Sequence, residues 1–167
     1  MFDLVPKEIV DANEVLEWII RSHHLHSIDG ITFLGGEPML QARGLAEVAA
    51  GARSRGLSVM VFTGFTIEQL QRQKLPGVSD LLGFTDVLVA GPFVASMPES
   101  DRNWVGSTNQ RFHFLTDRYI SGIEFDPAYS HGFELRIFRD GTLRSNGWPS
   151  EIATQIVDHI PSHTSND

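Results

Sequence analysis

Ile31-Thr32-Phe33-Leu34-Gly35-Gly36-Glu37-Pro38 carries an apolar run straight into two glycines, a carboxylate and a proline. A short apolar run bounded by turn residues reads as a buried strand, and a helix-like pattern begins just beyond it at Leu40. Two adjacent glycines at the C-terminal end of a strand let the backbone pass close to a ligand. Glu37 adds a carboxylate, an acceptor suited to an ammonium group. Its other reading is a cap on the next helix, because negative charge suits a helix N-terminus.

Outward from this stretch the same alternation continues. Upstream, Asp11-Ala12-Asn13-Glu14 has the form of a capping box, and Val15, Trp18, Ile19 and Ser22 share one helical face, so a helix is expected from about Ala12 to Ser22. Downstream, Leu45, Val48, Ala49 and Ala52 recur at helical spacing, and Arg53 to Gly56 closes that helix with basic residues and a glycine. Leu57 to Phe62 reads as a second buried strand ending at Thr63-Gly64. Thr66-Ile67-Glu68-Gln69 is a second capping box, opening a short helix. Asp86 to Ala90 is a third strand, stopped by Gly91-Pro92-Phe93. Strands alternating with helices imply parallel βαβ units.

After Pro92 the pattern changes. A polar loop runs to about Asn109, Arg111 to Leu115 reads as a strand, and Phe133 to Phe138 as another. Asp140-Gly141 predicts a tight hairpin into Thr142 to Ser145. Asn146-Gly147-Trp148-Pro149 reads as a turn with an anchoring ring. Ser150 caps a last helix with Ile152, Ile156, Val157 and Ile160 on one side, and residues 161–167 form a polar tail expected to be disordered. Nothing marks an internal boundary, so residues 1–160 are expected to form one domain.

Composition narrows the function. With 167 residues, 41% of them hydrophobic, the chain can bury a full core. A formal net charge of -8 disfavours nucleic acid or an anionic membrane as partner. No apolar run approaches the roughly 18 to 20 residues that span a bilayer, and the first residues lack the features of a signal peptide. A cytoplasmic location is expected. The chain has no cysteine, which excludes disulfides and thiolate metal sites.

Three strand ends therefore carry the residues of interest: Gly35-Gly36-Glu37-Pro38, Thr63-Gly64-Phe65 and Gly91-Pro92-Phe93. In a parallel sheet such ends share one edge, where ligands bind. His23-His24-x-His26 invites a metal reading, but adjacent histidines on a helix point about 100° apart, so a solvated helix end is preferred. Asp101-Arg102 reads as a solvated pair. Trp104 and Phe112 read either as core aromatics or as part of a site.

The strand–GGEP–helix arrangement resembles the radical S-adenosylmethionine (SAM) superfamily. More closely, ITFLGGEP at 31–38, VMVFTGFTIEQL at 59–70, DVLVAGPFV at 86–94 and WVGSTNQRF at 104–112 are similar to the activating enzymes of anaerobic ribonucleotide reductase. GTLRSNGWP at 141–149 resembles the closing hairpin of longer relatives. The resemblance implies an α/β fold: a partial (β/α) barrel of mainly parallel strands lacking its first strand, with a C-terminal β-hairpin and helix. It implies that Gly35, Gly36, Glu37 and Pro38 meet the amino end of SAM. Thr63 and Gly64 would lie beside its sugar or carboxylate, with Gly91 in the pocket floor. Trp104, Asn109 and Gln110 would belong to a loop facing a glycyl-radical partner such as anaerobic ribonucleotide reductase. Many relatives carry Asp where this chain has Ala90.

The resemblance also implies a [4Fe-4S] cluster held by a Cys-x3-Cys-x2-Cys loop, with SAM on the fourth iron. That loop is missing from this sequence, so no catalytic or metal-ligating residue is assigned and the chain is expected to be inactive in radical generation. Met1 to Asn13 resembles the segment just after the cysteine loop in relatives. Two explanations stand: an N-terminally truncated chain, or a cluster-less descendant that kept the pocket as a SAM- or partner-binding protein. Without its first strand the sheet would have an uncovered edge, an aggregation liability.

Overall fold

The computed structural model describes residues 10–129, 133–137 and 143–147. They fall into two compact units, Met1–Ser121 and Gly122–Asp167. The first is α/β, built on a four-stranded, mostly parallel sheet, in keeping with a partial β/α fold.

The helix α1 spans Ala12–His26, with Asp11 at its N-cap accepting from the Asn13 amide at 2.8 Å. It runs four residues beyond the expected end, through the three histidines, and stops where Ser27 turns left-handed at φ 50°. Strand β1, Gly30–Phe33, comes next, then a 3-10 turn at Pro38–Gln41 that leads into α2, Ala42–Arg53. Strand β2 is Ser58–Thr63, and α3, Ile67–Gln73, opens on the complete Thr66–Gln69 capping box. A further helix, α4, Val78–Gly83, precedes β3, Val87–Ala90. Strand β4 is Arg111–Phe114. Helix α4 has no counterpart in the sequence reading, because six residues give too few turns for an apolar period to register.

The sheet order is β1-β2-β3-β4. The first two pairings are parallel, with Thr32 beside Met60 and Val61 beside Leu88, and β4 returns antiparallel, with Phe112 opposite Val89. Side chains alternate across the strands, so Val59, Val61, Leu88 and Ala90 share one face. That face packs on Ala42, Ala46, Ala49 and Ala52 of α2 and on Val78 and Leu81 of α4. Small residues along α2 bring its backbone near the sheet, and Ala49 and Ala52 are fully buried there. All four residues of β3 are buried, as befits the strand with covered faces.

On the face of α1 read from the sequence, Val15, Ile19 and Ser22 are half-buried, with Ile19 against the core, and Trp18 alone departs from it. Trp18 is 49% exposed, and no α1 residue is fully buried. Leu16 lies over Gly51 of α2, so close that a Cβ on Gly51 would stand 2.4 Å from Leu16 Cδ2. The glycine's missing side chain makes room for Leu16 beside that stripe.

The second unit contains two 3-10 turns, Ile123–Phe125 and Pro127–Tyr129, and the hairpin of β5, Phe133–Ile137, with β6, Leu143–Gly147. The register pairs Phe133 with Gly147 and Ile137 with Leu143. Asn146 and Gly147 thus belong to the strand and not to a turn, because the ladder with Glu134 and Phe133 extends over them. The Asp140-Gly141 connection, Trp148-Pro149, the helix capped by Ser150 and residues 161–167 lie outside the described residues.

Candidate functional site

A cleft of about 160 Å³ opens at the C-terminal ends of β1, β2 and β3. Gly35, Gly36, Glu37, Pro38, Phe62, Thr63, Gly64, Gly91, Phe93 and Gln110 line it. The three strand ends meet because a parallel sheet puts them on one edge. Gly35, Gly36 and Gly91 take φ of 85°, 56° and 116°, conformations that side-chain-bearing residues resist. Each glycine turns the chain sharply off its strand; at Gly35 nothing stands within 4 Å of where a Cβ would be, whereas at Gly91 that place lies against Asn109 and Gln110.

Glu37 is the polar centre. It caps the 3-10 turn, with Oε1 accepting from the Met39 amide at 2.9 Å. The same oxygen accepts from the Thr63 hydroxyl at 2.8 Å, while Oε2 accepts from the Gly64 amide at 2.9 Å. Capping and site readings are therefore both realised in one carboxylate, which ties β1's end to β2's end. Oε1 has two donors and Oε2 one, which leaves Oε2 the better placed for a further donor. Gly64 keeps that side open: a Cβ there would sit 3.4 Å from Oε2.

Phe93 and Gln110 reach the cleft from the segment 92–110. This segment is closed by its own bonds: the Thr108 amide donates to the Met97 carbonyl at 2.8 Å and the Glu99 amide to the Gly106 carbonyl at 3.3 Å. Glu99, 9% exposed, is its internal anchor. Its Oε1 accepts from the amides of Ser100, Asp101 and Arg102, and its Oε2 from Arg102 Nε at 2.6 Å. Those bonds hold the Glu99 carboxyl below its usual range: the Asp101 amide has the largest influence, burial works against it, and Arg102 adds to the lowering. Arg102 also donates to the carbonyls of Gln110 at 2.9 Å and Thr108 at 3.2 Å, and its guanidinium lies 5.8 Å from the Phe112 ring centre. The expected Asp101-Arg102 pair is thus replaced by Glu99–Arg102, because the turn at Ser100 aims both side chains inward.

Of the residues singled out for a ligand, all seven line this one cleft. Of the three assigned to a partner, only Gln110 does so: its Oε1 accepts from the amides of Gly106 at 3.0 Å and Ser107 at 3.2 Å. Asn109 turns inward, donating from Nδ2 to the Pro92 carbonyl at 2.7 Å, while its Oδ1 is buried without a hydrogen-bond partner. Trp104 is 41% exposed, at φ 67°, with its ring 6.4 Å from Phe112, which stacks in turn on Phe114. Trp104, from the preceding loop, thus packs on the aromatic pair Phe112 and Phe114 of β4 and does not line the cleft. Sequence reasoning missed Glu99. Its only signal was a Glu-x-x-Arg spacing, which in a loop has no helical meaning.

The three histidines occupy the last turn of α1, where His23 Nδ1 lies 3.0 Å from the Ile28 carbonyl. Among the described residues no group of three or more His, Cys, Asp or Glu could hold a metal ion. Among them, too, no helix is long and apolar enough to cross a membrane.

Comparison with known proteins gives one family. Its sequence model, described as a 4Fe-4S single cluster domain, matches residues 6–113. No curated protein and no solved structure matches. The donor set does not fit the cluster that this description implies. Such clusters are held by thiolates, and these 167 residues contain no cysteine.

Proposed function

The chain belongs to the 4Fe-4S single cluster domain family, and from that premise we propose that its strand-end cleft binds S-adenosylmethionine. The observation that carries the reading is the Glu37 carboxylate, fixed by Met39, Thr63 and Gly64 beside two left-handed glycines at the mouth of a cleft. A carboxylate held in place by three donors does not need to reorganise when an ammonium arrives. Gly35, Gly36 and Pro38 admit the amino end of the ligand, Thr63 and Gly64 lie along its sugar or carboxylate, and Gly91 forms the floor.

No step is routed through a cluster, because the residues present supply none of its ligands. SAM held without reductive cleavage is the use that these residues support. In the activating branch that the four sequence segments resemble, the same cleft would serve hydrogen abstraction from a glycine of a partner such as anaerobic ribonucleotide reductase, in the cytoplasm. Trp104, Asn109 and Gln110 would then belong to the partner-facing loop, the part of that reading with the least support from the inward turn of Asn109.

Calorimetric titration of SAM into the wild-type chain and Glu37→Gln tests the proposal. The neutral amide keeps the size but loses a charge-assisted bond of about 1.5–3 kcal/mol, so affinity should fall by a factor of about 10 to 150. Because its NH2 must face one of the donors Met39, Thr63 or Gly64, melting temperatures are compared to show that the fold is kept. In the wild type, SAM at about 100 times its Kd should add about 2.7 kcal/mol of stability. Equal affinity in the two proteins would sink the proposal.

A further inference from the structure

We propose that Phe93 is the platform on which this cleft stacks a flat heteroaromatic ring, the adenine of SAM; the inference rests on the SAM reading above. Phe93 is 66% exposed, an unusual position for a phenylalanine, yet it lines the cleft. The backbone on either side is pinned. Before it, the Gly91 amide donates to the carbonyls of Thr63 at 3.1 Å and Phe65 at 2.9 Å, and the Pro92 carbonyl accepts from Asn109 Nδ2. After it, the Val94 amide donates to Ser107 Oγ at 3.1 Å.

The ring itself has a seat. A Cβ on Gly106 would stand 3.0 and 3.1 Å from its Cε2 and Cδ2, so only glycine lets the ring lie back against that backbone. An apolar ring held in the open by a fixed chain is a surface made ready for another flat group.

The cleft carries a carboxylate at one end and an exposed aromatic ring at the other. Glu37 comes after β1, with Thr63 and Gly64 at the neighbouring β2 end, whereas Phe93 comes after β3, two strands across. Adjacent strands lie about 4.7–4.9 Å apart, which separates the two ends by about 10 Å. A ligand that suits both has an ammonium joined by a flexible chain and a sugar to a planar base. SAM has that order of groups, and a free amino acid has only the first.

The experiment is calorimetric titration of SAM into wild type, Phe93→Ala, Phe93→Leu and Phe93→Trp, with melting temperatures recorded alongside. Base–aromatic stacking lost on truncation weakens binding by a factor of about 5 to 150. The Ala and Leu variants should both show that loss with unchanged melting temperatures. Phe93→Trp should bind at least as well as wild type, with its indole fluorescence quenched by SAM. Leu is the discriminating variant, since it keeps apolar volume but has no ring face. Wild-type affinity in Phe93→Ala or Phe93→Leu, or a Trp variant as weak as Ala, overturns the inference and leaves the SAM site standing. A wild-type protein that binds no SAM removes the site and the inference together.

Discussion

Asp86→Asn isolates the bond network that holds the first unit together at the end of the sheet away from the cleft. Asp86 is fully buried just before β3. Its Oδ2 accepts from the Val59 amide at 2.9 Å, and its Oδ1 accepts from the Thr116 hydroxyl at 2.6 Å and from the Arg53 guanidinium. One carboxylate thus joins β2, the end of α2 and the segment after β4. All three partners are donors, so an asparagine must point its NH2 at one side of them. Aimed at Val59, it sets two N–H groups against each other; aimed the other way, it opposes Thr116 and Arg53.

Removing one partner of a buried pair costs about 3–5 kcal/mol. The Arg53 side chain is 30% exposed and regains some hydration, which brings the expected loss to about 2–4 kcal/mol. In a chain of this size that is a fall in melting temperature of roughly 4–16 °C. Asp86 lies about four residues along the strands from the cleft, roughly 13 Å, so SAM affinity should not change. Acidity supplies a second readout. Burial is the largest influence on the Asp86 carboxyl and works to raise its pKa, but Thr116, Val59 and Arg53 together outweigh it and lower the value. A group with a depressed folded pKa contributes fully above its ordinary range, about pH 4, and loses that contribution as pH falls through the folded value. Asp86→Asn should therefore flatten the decline of stability below about pH 4. A variant within about 1 kcal/mol of wild type at neutral pH, or an unchanged acid slope, would refute the reasoning.

Two further outcomes rest on the geometry. Gly77→Ala should destabilise by about 2 kcal/mol or more in denaturant titration, because Gly77 sits at φ 82° and a Cβ would meet Arg43 N at 2.6 Å, a backbone atom that cannot step aside. Arg102→Met should speed hydrogen exchange at the Glu99 and Thr108 amides by about tenfold, since the loop loses the bonds from Arg102 to Glu99, Thr108 and Gln110, of about 1.5 kcal/mol net; unchanged exchange would show that the loop is held elsewhere.

Local chemistry made much of the site legible. The Thr66–Gln69 box, the glycines after β1, β2 and β3 and the apolar runs of those strands all act within a few residues, and each landed within a residue or two of its place. From those, one topological fact was enough: parallel strands share an end, so Gly35, Thr63 and Gly91 had to converge. Where the reading failed, the deciding partner was remote or the local signal ambiguous. On α1, Val15, Ile19 and Ser22 lie on the expected side, but Trp18 does not, and Leu16 finds room inward only over Gly51 of another helix. Asn146 and Gly147 look like a turn until β5 pairs with them.

The sequence by itself determined most of the segments that become strands and helices, the short α4 excepted, where glycine turns β1, β2 and β3 away from the sheet, and that 167 residues bring no thiolate to a family described by its iron–sulfur cluster. Tertiary structure alone decided what the charged groups do. Glu37 meets Thr63 from 26 residues away and Arg53 meets Asp86 from 33, and even Glu99 and Arg102, three apart, pair only because the loop between them turns inward. Backbone preference acts over a few bonds and is written in order along the chain. A hydrogen bond between distant side chains acts only once folding has brought donor and acceptor within about 3 Å, and no pattern of neighbours encodes that meeting.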